Sequence, residues 1–175
     1  MNEIFRRISV RKYTDEPVEP EKIEQILRAA MAAPSAGNQQ PWEFYVVRDK
    51  DVIKALSQCS PYAACAAGAS VVIVPCMRTK GLRWERLGAI DLSCAVENML
   101  LEITSRGLGG VWLCVTPETE RMEKADAALG LGDDLHAFAI VPVGYPAEDR
   151  LSRTGSIRAG YITYKYKKGY YHERS

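Results

Sequence analysis

The chain has 175 residues, 47% of them hydrophobic, and a net charge of +1, which suits one domain with its own core and excludes a disordered chain. No apolar run approaches the roughly 18 residues of a membrane span, and the start Met1-Asn2-Glu3-Ile4-Phe5-Arg6-Arg7 has no apolar signal region. A cytoplasmic location without membrane association is therefore expected. The charge is uneven: Arg6, Arg7, Arg11 and Lys12 crowd one end and Arg150, Arg153, Arg158, Lys165, Lys167, Lys168 and Arg174 the other, around an acidic body. Two basic ends could converge on one anion, or a basic tail could bind nucleic acid. The five cysteines, Cys59, Cys65, Cys76, Cys94 and Cys114, form no CxxC pair and fall in apolar segments. Buried thiols in a reducing compartment fit that pattern better than a disulfide framework. With only His136 and His172 to add, no zinc or iron site is expected.

Taken in order, Met1–Arg7 reads as a short helix leading into an extended stretch through Tyr13. Arg7, Ser9 and Arg11 alternate along that stretch, and side chains two apart share a face. Two guanidinium groups flanking a hydroxyl suit a phosphate. A solvated basic segment fits the same residues. Pro20 opens a helix, the favoured position for proline, and Ile23, Ile26, Leu27, Ala30 and Met31 mark its buried face. The loop Pro34-Ser35-Ala36-Gly37-Asn38-Gln39-Gln40-Pro41 is small and amide-rich, open to close approach by a flat ligand or simply a helix-to-strand turn.

Trp42–Val47 reads as a strand, Asp51–Cys59 as a short amphipathic helix, and the alanine-rich Pro61–Ala69 as helical. Ser70–Pro75 is a continuously apolar strand, expected where both faces of a sheet are covered. Trp84–Arg106 reads as one long helix. Its apolar residues Leu87, Ile90, Cys94, Val96, Met99, Leu100, Leu101 and Ile103 cover more than one face, which suits a helix enclosed by its own fold and a partner, or a core helix of a monomer. Gly107-Leu108-Gly109-Gly110 then follows a helix and opens the strand Val111–Val115. A dinucleotide-binding glycine motif requires the opposite order, so a Rossmann site is excluded. Pro117–Leu129 reads as a helix and Phe138–Val143 as a strand, ending in Gly144-Tyr145-Pro146. Residues 147–175 read as a basic, tyrosine-rich arm. The fold class expected is α+β, an α/β sandwich of a small central sheet covered by helices, in a single domain over residues 1–175.

Four segments together resemble the FMN-dependent nitroreductase family. They are Arg7-Ile8-Ser9-Val10-Arg11, the loop Pro34–Trp42 with its Pro-Ser start and Gln-Pro-Trp end, the long helix running through Gly107-Leu108-Gly109 into Val111-Trp112-Leu113-Cys114, and Val143-Gly144-Tyr145-Pro146 before the basic tail. The resemblance implies an arm-exchanged homodimer with two FMN molecules at the interface. It implies that Arg7 and Arg11 bind the phosphate or the flavin N1–O2 edge, with Ser9 as a hydrogen-bonding group. Pro34, Ser35 and Asn38 of the other subunit would lie against the ring, and backbone N–H groups of Cys114 and Val115 would approach N5. Arg153 and Arg158 are both candidates for the remaining phosphate contact, with Arg158 favoured.

Three departures limit what the resemblance says about substrate: Ile8 stands where the family often has a second basic residue, Tyr62–Ala69 lacks a lysine, and the chain is short for a lid. The activity implied is hydride transfer from NADH or NADPH to the flavin and on to a small, flat, electron-poor acceptor such as a nitroaromatic or quinone. The cofactor carries the chemistry, so no catalytic side chain is assigned, and Cys114 is expected to be a buried strand residue. The alternative is a flavin-binding protein without turnover, for storage or sensing. Single-strand nucleic-acid binding by Tyr161, Tyr164, Lys165, Tyr166, Lys167 and Lys168 is disfavoured by the acidic body.

Overall fold

A computed structural model describes residues 3–148 of the chain. Five α-helices stand in chain order: α1 (Glu3–Arg6), α2 (Pro20–Met31), α3 (Lys50–Ser57), α4 (Gly88–Ser105) and α5 (Thr119–Leu129). Six strands form one sheet: β1 (Trp42–Val47), β2 (Val71–Arg78), β3 (Gly109–Gly110), β4 (Leu113–Cys114), β5 (Leu135–Ala137) and β6 (Ala139–Gly144). Its order is β1-β2-β6-β3, with β4 paired to β6 and β5 to β2, and every strand pairing is antiparallel. This is the α+β class expected from the order of elements.

Alternation along the central strands divides the core in two. Val71 and Ile73 of β2, with Ala139, Val141 and Val143 of β6, face Ile23, Ile26 and Ala30 of α2 and Leu92, Val96 and Met99 of α4. Val72, Val74 and Cys76, with Ile140, face the other way, onto Ile53 and Leu56 of α3 and Ala125 of α5. Successive side chains of a strand point to opposite faces. With helices on both sides, β2 is therefore apolar at every position from Val71 to Cys76.

Local chemistry sets the ends of these elements. Proline occupies the first turn of α2. The Asp49 carboxylate accepts the N–H groups of Asp51 and Val52 and so caps α3. Gly130, at φ 64°, closes α5 in the left-handed conformation that glycine adopts without strain.

Several boundaries differ from expectation for tertiary reasons. The stretch Trp84–Arg106 is not one helix: Trp84 lies in a turn with φ −130° and ψ 71°, Glu85–Leu87 form a 3-10 turn, and α4 begins at Gly88. Both backbone groups of Trp84 are bonded to the Gln39 side chain, which holds it outside the helix. Val111–Val115 is not one strand, because only Gly109–Gly110 and Leu113–Cys114 pair with β6. The alanine-rich segment forms a 3-10 helix over Ala64–Gly68. Strand β5, hidden behind Asp133 and Asp134, had no apolar run long enough to mark it. Met31 is exposed instead of buried, since α2 ends there. The expected arm lies, apart from Ala147 and Glu148, outside the described residues.

Ile73 is fully buried at the centre of β2 and touches the α2–α4 side of the core. Ile73→Ala should lower unfolding stability by about 2–5 kcal/mol, the usual range for emptying such a position. Urea denaturation followed by circular dichroism would measure it, and a loss below about 1 kcal/mol would contradict the two-faced core described above.

Candidate functional site

The N-terminal segment reaches its place by joining the edge of the sheet. Ser9 bridges Gly110 of β3, and the Val10 N–H donates to the Gly110 carbonyl at 3.0 Å. A Cβ on Gly109 would stand 2.7 Å from Val10, so only glycine permits this approach. Tyr13 bridges Pro146, and its hydroxyl donates to the carbonyls of Val10 and Pro142 at 2.7 and 3.3 Å. Burial, more than any neighbouring charge, raises the Tyr13 pKa well above the usual range of a phenol, so the hydroxyl stays protonated and able to donate.

Along the segment fixed in this way, Arg7 is half-buried and its Nε lies 3.7 Å from Glu97 of α4. Ser9 is half-buried and Arg11 is exposed. Among the described residues no carboxylate forms an ion pair with Arg11. Arg11 acts electrostatically on Cys65, although burial outweighs it and the net effect raises that thiol's pKa. The segment thus offers two guanidinium groups and a hydroxyl, a donor set that fits a phosphate.

Cys114 is exposed, against the expectation of a buried strand residue, because β4 is only two residues long and its second side chain points away from the core. Its carbonyl accepts from Arg121 at 3.3 Å. Val115 is buried, and its N–H donates to the Phe138 carbonyl at 3.3 Å. The Val115 N–H is therefore already engaged within the fold.

The Pro34–Gln40 loop is held at the other end of the α4 side, by a constellation that sequence reasoning missed. Gly37, Asn38 and Gln40 have φ values of 52°, 56° and 45°. Non-glycine residues with positive φ store strain on the order of 1–3 kcal/mol each and persist only where surroundings enforce them. Asp91, buried in the first turn of α4, supplies much of that enforcement. Its Oδ1 accepts the Ala36 N–H at 3.0 Å and its Oδ2 accepts the Gln39 side-chain amide at 2.8 Å. The same Gln39 amide donates to the Trp84 carbonyl at 3.1 Å and accepts the Trp84 N–H at 3.0 Å. The Arg78 guanidinium donates to the Gln40 and Gln39 carbonyls at 2.7 and 3.3 Å. The Ser35 hydroxyl accepts the Gln40 N–H at 3.0 Å, so its oxygen already serves the loop. Pro34 and Asn38 are exposed, and among the described residues the Asn38 side chain makes no hydrogen bond.

Asp91 and Glu97 mark where the loop and Arg7 touch α4, and six residues of helix separate them by about 9 Å along its axis. Three surface clefts lie along Arg78 and Asp133–Leu135, beside Arg121 and Lys124, and between α2 and α4, and none of the three includes a predicted site residue. Arg153 and Arg158 lie outside the described residues. Among the described residues no three His, Cys, Asp or Glu side chains gather to hold a metal, and no helix is long and apolar enough to cross a membrane. One signal in the sequence points to the missed anchor: Asp91 is the single charge in the run Gly88–Val96.

The nitroreductase family model matches residues 4–66 and 61–145, which spans the edge segment, the loop and the strands around Cys114. The chain belongs to the nitroreductase family. A protein of Archaeoglobus fulgidus, provisionally named as an NADH dehydrogenase/NAD(P)H nitroreductase, is 40% identical over 148 residues, 84% of this chain and 85% of that protein. A crystal structure from Clostridium acetobutylicum, provisionally named as an NADH oxidase, superposes with a TM-score of 0.90 at 38% identity, covering 94% of this chain and 99% of that one. An FMN-dependent nitroreductase from Clostridium difficile superposes with a TM-score of 0.81 at 26% identity, covering 99% of each chain.

Cys76 of β2 is fully buried in the core. Burial first, then the charges of Asp126 and Glu43, push the Cys76 thiol up to about 12. The thiolate is the reactive form, so at pH 8 Cys76 should resist iodoacetamide in the native protein and react only after unfolding. Peptide mass spectrometry reads this directly. Rapid native labelling of Cys76 would show that β2 is not enclosed as described.

Proposed function

We propose that the protein is an FMN-dependent NAD(P)H oxidoreductase whose flavin phosphate is held by the Arg7–Arg11 segment. Within the nitroreductase family, dependence on FMN and NAD(P)H agrees with the FMN-dependent nitroreductase and the NAD(P)H nitroreductase that the chain resembles. The observation that carries the reading is Arg11. It is exposed, unpaired among the described residues, and carried on an extended segment that Tyr13 and Gly109 fasten to the sheet.

Bound FMN supplies hydride acceptance and donation at its ring. The chain's own work is to bind and orient. Arg11 and Arg7 take the phosphate or the flavin N1–O2 edge, and Arg7 exchanges its long contact with Glu97 for this one. Ser9 offers its hydroxyl between them. Since the Val115 N–H is spent on Phe138, the approach to the reacting edge of the ring falls to exposed Cys114 and its backbone. Pro34, Ser35 and Asn38 pack against the ring, with the Asn38 amide left to bind, and Arg153 or Arg158 completes the phosphate contacts. NADH or NADPH and the acceptor use the site alternately, the acceptor being a flat, electron-poor molecule such as a nitroaromatic or a quinone.

The same reading includes a homodimer in which the loop of one protomer meets the Arg7–Arg11 segment of its partner. Two features support it. The two halves attach about 9 Å apart along α4 within one chain, and Ile90, Cys94 and Leu101 of α4 continue an apolar stripe that begins at Leu87 just before the helix, with Ile90 60% exposed. Ile90→Lys should shift the protein from dimer to monomer in size-exclusion chromatography with light scattering. A wild-type monomer at micromolar concentration would refute the shared site.

The purified protein should be yellow and release FMN on denaturation. Anaerobic NADH or NADPH should bleach the bound flavin, and a nitroaromatic should restore its colour. No bleaching with either nucleotide would leave only the storage or sensing role. Arg11→Ala removes charged hydrogen bonds worth about 1.5–3 kcal/mol, so its FMN dissociation constant should rise about 10- to 100-fold. Full flavin occupancy in that variant would contradict the role of Arg11.

A further inference from the structure

We propose that Asp91 is a positioning residue that preforms the Pro34–Gln40 loop for flavin binding, acting through Gln39. The inference rests on the flavin reading above and extends it to a residue that touches no ligand itself.

The hydrogen bonds of this cluster close on one another. Asp91 is 5% exposed, and among the described residues no Lys or Arg pairs with it. A buried carboxylate without a cation must be compensated by donors. Here one oxygen takes the Ala36 N–H and the other takes the Gln39 amide, while the N-terminal end of α4 contributes its dipole. The second proton of the Gln39 amide goes to the Trp84 carbonyl and its oxygen takes the Trp84 N–H. The orientation of the amide is therefore set by three partners at once, and flipping it would break all three contacts. The Trp84 ring sits against Gly37: a Cβ there would fall 2.0 Å from the ring, so any side chain would have to displace it. The backbone between Ala36 and Gln39 is thus fixed at both ends and pressed from one side. Asn38 lies between the fixed ends, at φ 56°, with its side chain exposed. Such a loop meets a flat ligand without first paying the ordering entropy that a mobile one would.

The test is a charge and donor swap. Asp91→Asn leaves one acceptor for two donors: whichever way the new amide turns, its N–H₂ faces either the Gln39 N–H₂ or the Ala36 N–H, and no flip of Gln39 keeps the Trp84 contacts. Gln39→Glu sets two carboxylates face to face. The double variant D91N/Q39E returns an acceptor opposite a donor between positions 91 and 39, while the Trp84 carbonyl still loses its donor. We expect each single variant to weaken FMN binding at least about tenfold, the effect of one unsatisfied buried group. Hydrogen exchange at the amides of Ala36–Gln40 in flavin-free protein should accelerate by a similar factor, and the double variant should recover part of what Q39E loses in both. FMN affinity is read by fluorescence quenching, and the visible band of the bound flavin reports ring packing. If D91N is too unstable to purify, Q39E and Gln39→Ala test the same clamp from a half-exposed position.

Wild-type FMN affinity in folded D91N or Q39E would overturn the role of Asp91. So would an affinity loss with no change in loop exchange, or a double variant no better than Q39E. Wild-type protein that takes up no FMN would instead overturn the flavin reading and this role with it. In that event faster loop exchange in D91N would still establish the clamp as a purely structural one.

Discussion

A carboxylate buried in the first turn of a helix has to find donors, and Asp91 finds them in a loop rather than in its own helix. That requirement organises the whole region. It draws Ala36 and Gln39 onto α4, and through Gln39 it draws Trp84 out of helical geometry, so that α4 starts at Gly88. It also holds three residues at positive φ within four positions, a backbone that the short segment would not adopt unaided. Arg78 reinforces the arrangement from the end of β2 by gathering the carbonyls of Gln39 and Gln40.

The second half of the site depends on a different constraint, the close packing of backbone on backbone. Ser9 and Val10 can lie against Gly110 only because Gly109 has no side chain, and Tyr13 lies against Gly144 in a comparably tight contact. The buried Tyr13 hydroxyl then ties the segment to two carbonyls. Basic residues that would otherwise wave in solvent are aligned along a sheet edge. The glycines near residue 109, excluded as a nucleotide motif by their order in the chain, instead let another segment approach the sheet edge.

Much of this was legible in the sequence. The apolar run of β2, the period of α2, the basic alternation at Arg7, Ser9 and Arg11, and the Pro-Ser to Gln-Pro-Trp loop all stand out, and the nitroreductase resemblance rests on the last two together with the long helix running into Val111–Cys114 and the Val143–Pro146 segment. The illegible parts have identifiable reasons. Strand β5 is three residues long, below what a period-2 pattern can mark. Cys114 looked like a core residue because its neighbours are apolar, yet a strand of two residues exposes one side chain to the outside. Trp84 carries no helix-breaking signal of its own, and what removes it from the helix is a side chain far away in the chain.

Composition and alternation by themselves determined that this chain builds a two-faced sheet wrapped in helices and that its ends are basic, because burial follows the period of the backbone wherever the chain is regular. The tertiary structure alone decided the shape of the loop and the accessibility of the site residues. The Asp91–Gln39 contact joins residues 52 apart, and the left-handed backbone beside it at Gln40 opposes local preference. A conformation held against local preference by distant partners leaves no trace in the segment that adopts it.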